Sequence, residues 1–193
     1  MTQTTQQQDS TRHRDMLAVL VAVLCLMSVG HSAPLMCKDL IRPSDQLDPH
    51  HLEGRWVLVA GSLANNLSQN IMQARDSLTV DFNTTSYTET SSLGDRCFRA
   101  HYNVSMKDHI VSFKQKTLSF TANLLHTSCL DCVLLTGEFV SPFYYSKDLY
   151  LFSKRREVTQ KEMEEFGAQA ECLNMGPAIV MDPTMKLCPM TPE

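Results

Sequence analysis

The sequence lacks the features that usually indicate catalysis or nucleic-acid binding. It contains no G-x-S-x-G motif, no H-E-x-x-H zinc motif and no glycine-rich loop for phosphate. Its net charge is −4, whereas a nucleic-acid-binding domain usually carries a strong basic excess. These absences predict a protein that is not an enzyme, uses no cofactor or metal, and binds no nucleic acid.

Long apolar runs are also missing, with one exception near the N-terminus. The run Met16–Val29 follows a polar segment containing Arg12 and Arg14, and small residues come after it. This order is typical of a secretory signal peptide, which we place at residues 1–33 with cleavage at 30–33. The run is shorter than the about 20 residues that a membrane helix needs. We therefore prefer a signal to a membrane anchor and expect no membrane insertion after cleavage.

The remaining chain contains no repeat, low-complexity tract or Gly/Ser linker, which predicts one domain over residues 34–193. We expect this domain to be a monomer. Removal of the signal takes away Cys25, and six of the seven cysteines remain. An even number of cysteines in an exported protein predicts disulfides, here three. Sequons at Asn66, Asn83 and Asn103 predict N-glycosylation, with an unmodified polar turn as the alternative at each.

After Gly54 the chain consists of short β-rich runs separated by turn residues, a texture typical of an antiparallel sandwich or barrel. We count eight such runs. They are Trp56–Leu63, Ser77–Asn83, Ser86–Ser91, Cys97–Val104, His109–Lys114, Leu118–His126, Cys132–Phe139 and Asp148–Lys154.

One helix is predicted after the strands. Thr159 and Glu162 have the spacing of a capping box, and Met163, Phe166, Ala170 and Leu173 then recur at helical spacing. Gly176-Pro177 is expected to end the helix. A single apolar stripe needs a surface to cover, and the outside of a barrel supplies one.

The tripeptide Gly54-Arg55-Trp56 at the first strand, followed by this order of strands and helix, resembles the lipocalin family. The resemblance implies an all-β fold, an eight-stranded antiparallel up-and-down barrel with one C-terminal α-helix packed on its outside. It also implies that Trp56 closes the barrel base beside Gly54, under a basic residue that follows the last strand. Arg155 or Arg156 is the expected partner.

The C-terminal third resembles the orosomucoid branch, to which the fish lipocalins that bind saxitoxin and tetrodotoxin look related. The segments that carry this likeness are Asp148–Lys154, Val158–Phe166, Glu171-Cys-Leu and Lys186-Leu-Cys-Pro. The resemblance implies the disulfides Cys37–Cys172 and Cys97–Cys188. The opening His51–Gly61 is similar both to that branch and to its neighbour, apolipoprotein M.

Cys129 and Cys132 depart from the pattern of that branch. We prefer a local disulfide across the turn between two strands. A redox C-x-x-C, a zinc site and pairing across chains remain as alternatives, although neither a βαβ setting nor a second ligand pair accompanies the motif.

The family resemblance implies a secreted, extracellular plasma carrier of a small lipophilic or amphipathic molecule. Leu58, Tyr150 and Phe152 fall near ligand-contacting positions of the family, and alternation along strands adds Ala60, Phe113, Phe120 and Leu134. The enzymatic lipocalin branch uses a cysteine after the first strand, and Gly61–Ser68 has none. Alternatives are an acute-phase or immunomodulatory glycoprotein that acts through its surface or glycans, and a lipoprotein-associated carrier like apolipoprotein M.

Overall fold

A computed structural model of the chain describes residues 36–45 and 49–190. The predicted signal peptide, residues 1–33, lies outside the described residues. Among the residues that are described, no helix has the length and apolar character needed to cross a membrane.

Ten β-strands form one antiparallel sheet. They are β1 (Gly54–Leu63), β2 (Ser77–Phe82), β3 (Ser86–Leu93), β4 (Arg96–Asn103), β5 (Ser105–Lys107), β6 (Ile110–Gln115), β7 (Leu118–Leu125), β8 (Cys132–Ser141), β9 (Tyr144–Ser153) and β10 (Ile179–Val180).

The sheet has the order β4-β3-β2-β1-β9-β8-β7-β6-β5, and β10 pairs with β1 outside this path. Only Val104 separates β4 from β5, so the chain itself joins the two ends of the sheet into a nearly closed barrel. The predicted all-β antiparallel barrel is confirmed. The predicted number of strands is wrong, because the barrel has nine: Ser105–Lys107 forms a short strand of its own that pairs with β6.

The seam of the barrel lies between β4 and β6. Among the described residues, β4 pairs with β3 alone. The ladder between β5 and β6 covers only Ile110–Ser112 of β6. Within the described part of the chain, the rest of β6, toward Gln115, is therefore hydrogen-bonded to a strand on one side only, at β7.

The helices of the described chain are α1 (Cys37–Leu40), α2 (Asn66–Gln73) and α3 (Gln160–Cys172), with a 3₁₀ turn at Pro49–Leu52. The predicted capping box of α3 is confirmed: the Thr159 hydroxyl accepts from the Glu162 N–H, and the Glu162 carboxylate accepts from the Thr159 N–H at 2.6 Å. The expected end at Gly176-Pro177 is wrong. The helix ends at Cys172, and Asn174 follows in the left-handed region with φ of 54°.

Helix α3 packs on the outside of the barrel, as the sequence predicts. Phe166 and Ala170 of its apolar stripe lie against Leu134, Leu149 and Leu151 of the wall. Burial of this stripe stabilises the packed helix, since apolar area removed from water contributes roughly 25 cal/mol per Å².

Three disulfides are present: Cys37–Cys172, Cys97–Cys188 and Cys129–Cys132. The first ties the N-terminal segment to the end of α3, and the second ties β4 to the C-terminal tail. The third closes the turn between β7 and β8. These are the pairs that the family resemblance and the turn position imply.

Candidate ligand cavity

The barrel encloses a cavity of about 410 Å³. Residues from all the long strands and from α2 line it, and most of them are aliphatic or aromatic. Sites for small molecules usually have volumes of about 300–1,000 Å³ with a mostly apolar lining and a few polar groups. The cavity therefore has the size and character of a site for one small molecule.

The base of the cavity is closed by Trp56 and Leu52. Both side chains are buried, and the Trp56 indole N–H donates to the carbonyl of Leu52 at 2.7 Å. The Lys154 ammonium lies 3.8 Å from the centre of the Trp56 ring and donates to the Glu53 carbonyl at 3.1 Å. A cation over an indole is worth about 0.5–2 kcal/mol. Trp56 thus closes this end under a cation.

The prediction that Arg155 or Arg156 covers Trp56 is wrong, because the cation over the ring is Lys154. Arg155 is engaged by Asp131 at 2.7 Å and Glu162 at 3.0 Å, and Arg156 donates to the carbonyl of Met185. Phe152 points inward, so Lys154 is the next residue whose side chain lies on the same face of the strand. Gly54 adjoins it: with φ of +99°, a Cβ there would lie 3.1 Å from the Lys154 Nζ.

A row of aromatic rings forms one wall of the cavity. Tyr102 stacks on Phe113 with ring centres 4.2 Å apart, and Phe113 stacks on Phe120 at 5.0 Å. Phe120 and Phe139 are tilted by 40°, with ring centres 4.5 Å apart. Gly137 leaves room for this row, because a Cβ there would lie 2.6 Å from the Phe120 ring.

Four of the predicted ligand-contacting residues line the cavity: Phe113, Phe120, Tyr150 and Phe152. Leu58 does not. It belongs to the buried cluster that contains Trp56 and Phe152 but is not on the cavity wall.

The prediction that Ala60 and Leu134 contact the ligand is wrong, because both side chains face outward beneath α3. In β1 the register passes from Leu58↔Phe152 to Ala60↔Leu151, so Val59 is an extra residue. This β-bulge reverses the alternation of side chains and turns Ala60 to the outside. Leu134 lies opposite the outward-facing Leu151. Its neighbours in β8, Val133 and Leu135, face the cavity instead.

A buried carboxylate lies on the cavity wall. Asp148 is 1% exposed, and it accepts from the Ser146 hydroxyl at 2.5 Å and the Tyr150 hydroxyl at 2.9 Å. Among the described residues, no ion pair joins it to a basic side chain. Burial raises the pKa of Asp148, and these hydrogen bonds oppose that shift only in part.

A second polar group of the wall is an ion pair. The Arg75 guanidinium lies 3.1 Å from the Glu89 carboxylate, and the Tyr87 hydroxyl donates to the same carboxylate at 3.5 Å. Burial raises the pKa of Tyr87 well above its usual range, and the negative charge of Glu89 adds to the shift. Tyr87 is therefore a neutral hydrogen-bond donor at neutral pH.

Helix α2 stands at the mouth, opposite Trp56, and was missed by the sequence analysis. The Asn65 side chain caps it by accepting from the Ser68 N–H at 2.8 Å. Its Met72 side chain enters the barrel, where Gly61 makes room: a Cβ on Gly61 would lie 2.5 Å from the Met72 methyl. An asparagine cap with inward residues at i and i+4, Ser68 and Met72, is the signal that could have found it.

The three sequon asparagines, Asn66, Asn83 and Asn103, all have exposed side chains.

The structure also describes one group of three potential metal ligands, Cys129, Asp131 and Cys132. Both sulfurs of that group belong to the disulfide, and a disulfide sulfur is not the thiolate that binds zinc.

Comparison with known proteins gives a structural match only. No family model matches the sequence, and no curated protein matches it. Among solved structures, the chain is similar to lipocalin 12 from rat epididymis, solved by solution NMR, with a TM-score of 0.63 and 14% identity. The match covers 76% of this chain and 91% of that one. The chain therefore has the lipocalin fold.

Proposed function

We propose that this protein is a secreted, non-catalytic carrier that holds one small lipophilic or amphipathic molecule inside its barrel. The observation that carries this proposal is the cavity of about 410 Å³, closed by Trp56 and lined mainly by apolar side chains. The proposal includes an exported, N-glycosylated monomer of the orosomucoid and apolipoprotein M branch. The predicted signal peptide and the three disulfides support export.

The polar groups of the wall add a preference for the ligand. The buried Asp148 carboxyl group has hydroxyl donors but, among the described residues, no basic partner, so an amine on the ligand can supply the missing positive charge. The aromatic row from Tyr102 to Phe139 then receives the apolar part. We propose that the ligand is an amphipathic molecule whose polar end lies against Asp148.

The carrier is tested with an apolar fluorescent probe, using protein secreted from animal cells. One probe should bind per chain, and an unlabelled apolar competitor should displace it. Ala122→Phe places a ring in the cavity, since Ala122 is fully buried and lines it. We expect probe affinity to fall at least about tenfold, because the ring takes the space of the ligand.

Thr121→Phe is the matched control, because it adds the same ring to the same strand at an exposed outward position. It should leave probe affinity unchanged. Mass spectrometry of the secreted protein should find an N-terminus between residues 31 and 34, N-glycans and no free thiol. Stable wild-type protein that binds none of a panel of probes contradicts the carrier. The leading proposal would then be a glycoprotein whose function depends on its surface or glycans.

A further inference from the structure

The mouth of the barrel exposes apolar side chains that most soluble proteins would cover. Leu67 and Ile71 of α2 are 57% and 45% exposed, although both also line the cavity. In the β8–β9 hairpin, Val140 and Tyr145 are largely exposed, and Phe143 at its tip is 99% exposed. We refer to these five residues as the mouth surface.

The mouth surface is continuous, because α2 is bonded to the hairpin. The Asn65 amide donates to the Tyr145 carbonyl at 3.1 Å, and the Ser68 and Tyr144 hydroxyls lie 2.6 Å apart. Ser68 also lies 2.8 Å from the Ser146 hydroxyl. The helix and the hairpin therefore present their exposed side chains together, around the opening of the cavity.

Charge is distributed unevenly around this surface. Residues 64–73 and 139–146 contain no charged side chain, and the neighbouring β6–β7 hairpin contributes Lys114 and Lys116 without an acidic residue. Glu138 lies opposite Lys147 in the strand pair. Two further acidic residues, Asp76 and Asp95, lie at the β3–β4 turn, where Asp76 accepts from the Gly94 N–H at 2.6 Å. The mouth surface is thus uncharged and borders a basic turn.

We propose that the mouth surface docks on the face of an anionic phospholipid bilayer. Phe143, Leu67 and Ile71 enter the boundary between head groups and acyl chains, while Lys114 and Lys116 lie over anionic head groups. The cavity opens inside this contact, so a lipophilic ligand passes between bilayer and barrel without crossing water. That last consequence rests on the proposed function; the docking itself does not.

The composition of the surface favours lipid over a protein partner. Aromatic side chains with one polar end, such as Tyr145, prefer the membrane interface, and aliphatic side chains enter its apolar edge. Lysines near an anionic surface add attraction that salt weakens. Docking of this kind places side chains in the interface and differs from insertion across the membrane.

The proposal is tested by flotation of the full secreted protein with vesicles of phosphatidylcholine alone or with phosphatidylserine. We expect binding to the mixed vesicles that weakens as salt is raised. Phe143→Glu and Leu67→Glu should each reduce the partition coefficient at least about tenfold, because an apolar anchor becomes a charge. Lys114→Glu should reduce it roughly fivefold on anionic vesicles only.

Matched controls lie at the closed end of the barrel. Leu130→Glu changes a leucine that is 87% exposed, in the turn between β7 and β8. Lys107→Glu changes an exposed lysine in β5, at the turn between β5 and β6. Neither should alter vesicle binding. Absence of wild-type binding, or binding that the control variants reduce as much as the mouth variants, overturns the proposal.

The sequon asparagine Asn66 begins α2, one residue before Leu67. Flotation is therefore compared before and after enzymatic removal of N-glycans. Binding that occurs only after removal means that a glycan covers the surface in the secreted protein, and it overturns docking there. Phe143→Glu should keep its affinity for an apolar probe in vesicle-free solution. Vesicle docking without probe binding would instead contradict the carrier function while leaving the docking intact.

Discussion

The two ends of the barrel are built from opposite kinds of contact. At the closed end, Trp56 is buried against Leu52 and covered by the Lys154 ammonium. At the mouth, hydroxyl and amide hydrogen bonds hold α2 against the β8–β9 hairpin, and Phe143 is left in solvent. Substitutions at the base should therefore lower stability, whereas substitutions at the mouth should change binding with little effect on stability.

The largest expected difference is between the aromatic residues of the two ends. Trp56→Ala should lower the free energy of unfolding by about 3–5 kcal/mol, because it empties a buried aromatic site. Phe143→Ala should stay within about 0.5 kcal/mol, as exposed positions usually do. Urea unfolding followed by circular dichroism measures both. Equal losses would contradict the division between the ends.

The disulfides give the next comparison. Cys37 and Cys172 are 135 residues apart, whereas Cys129 and Cys132 are three apart. In the chain-entropy relation, replacing the first pair with alanines costs about 5 kcal/mol and replacing the second costs about 1.5–2 kcal/mol. Thermal unfolding of both double variants tests this order. A larger loss at Cys129–Cys132 would mean that its packing under α3 outweighs loop closure.

A smaller effect is expected at Lys154. Lys154→Met removes the cation over Trp56 and should cost about 0.5–2 kcal/mol. Because Trp56 is the only tryptophan, its emission reports on this contact directly. Lys154→Met should shift that emission, while Lys161→Met on the exposed face of α3 should not. If Arg156→Met shifts the emission and Lys154→Met leaves it unchanged, the cation has been wrongly assigned.

The smallest effect concerns Asp148 and appears as a pH dependence. Since burial raises its pKa, the folded protein keeps this proton when the unfolded chain has already lost it. Folding stability therefore falls as pH rises above the ordinary aspartate pKa, until Asp148 ionises in the folded state. Asp148→Asn should remove this decline. Urea unfolding of both proteins from pH 3.5 to 7 measures the difference, and parallel pH curves would contradict it.

The sequence was most informative where local chemistry decides the structure. Thr159 and Glu162 predict the start of α3 from their spacing alone, and Gly54-Arg55-Trp56 marks the first strand. Such signals work because the residues that make the contact are close together in the chain.

The inward and outward faces of the strands could not be predicted in the same way. Leu58, Val59 and Ala60 are all apolar, as are Val133, Leu134 and Leu135, because one face of these strands lines the barrel and the other lies under α3. Because no polar residues mark the outer face, the alternation of side chains does not show which residues point inward. The bulge at Val59 cannot be predicted either, since its residues are as apolar as their neighbours. Lys154 was predictable, since it lies two residues after the inward Phe152.

The seam between β4 and β6 sets where the barrel first opens. Strand β8 has a hydrogen-bonded neighbour on each side, whereas β4 has one only at β3. Backbone amides on the unpaired edge of β4 should exchange with deuterium faster than those of β8, because they make no hydrogen bonds to a neighbouring strand that must break first. The Cys97–Cys188 bond crosses from β4 to the tail and limits how far the edge can swing. Fluctuations of the wall should therefore begin at this seam, on the stretch of β4 between Cys97 and Asn103.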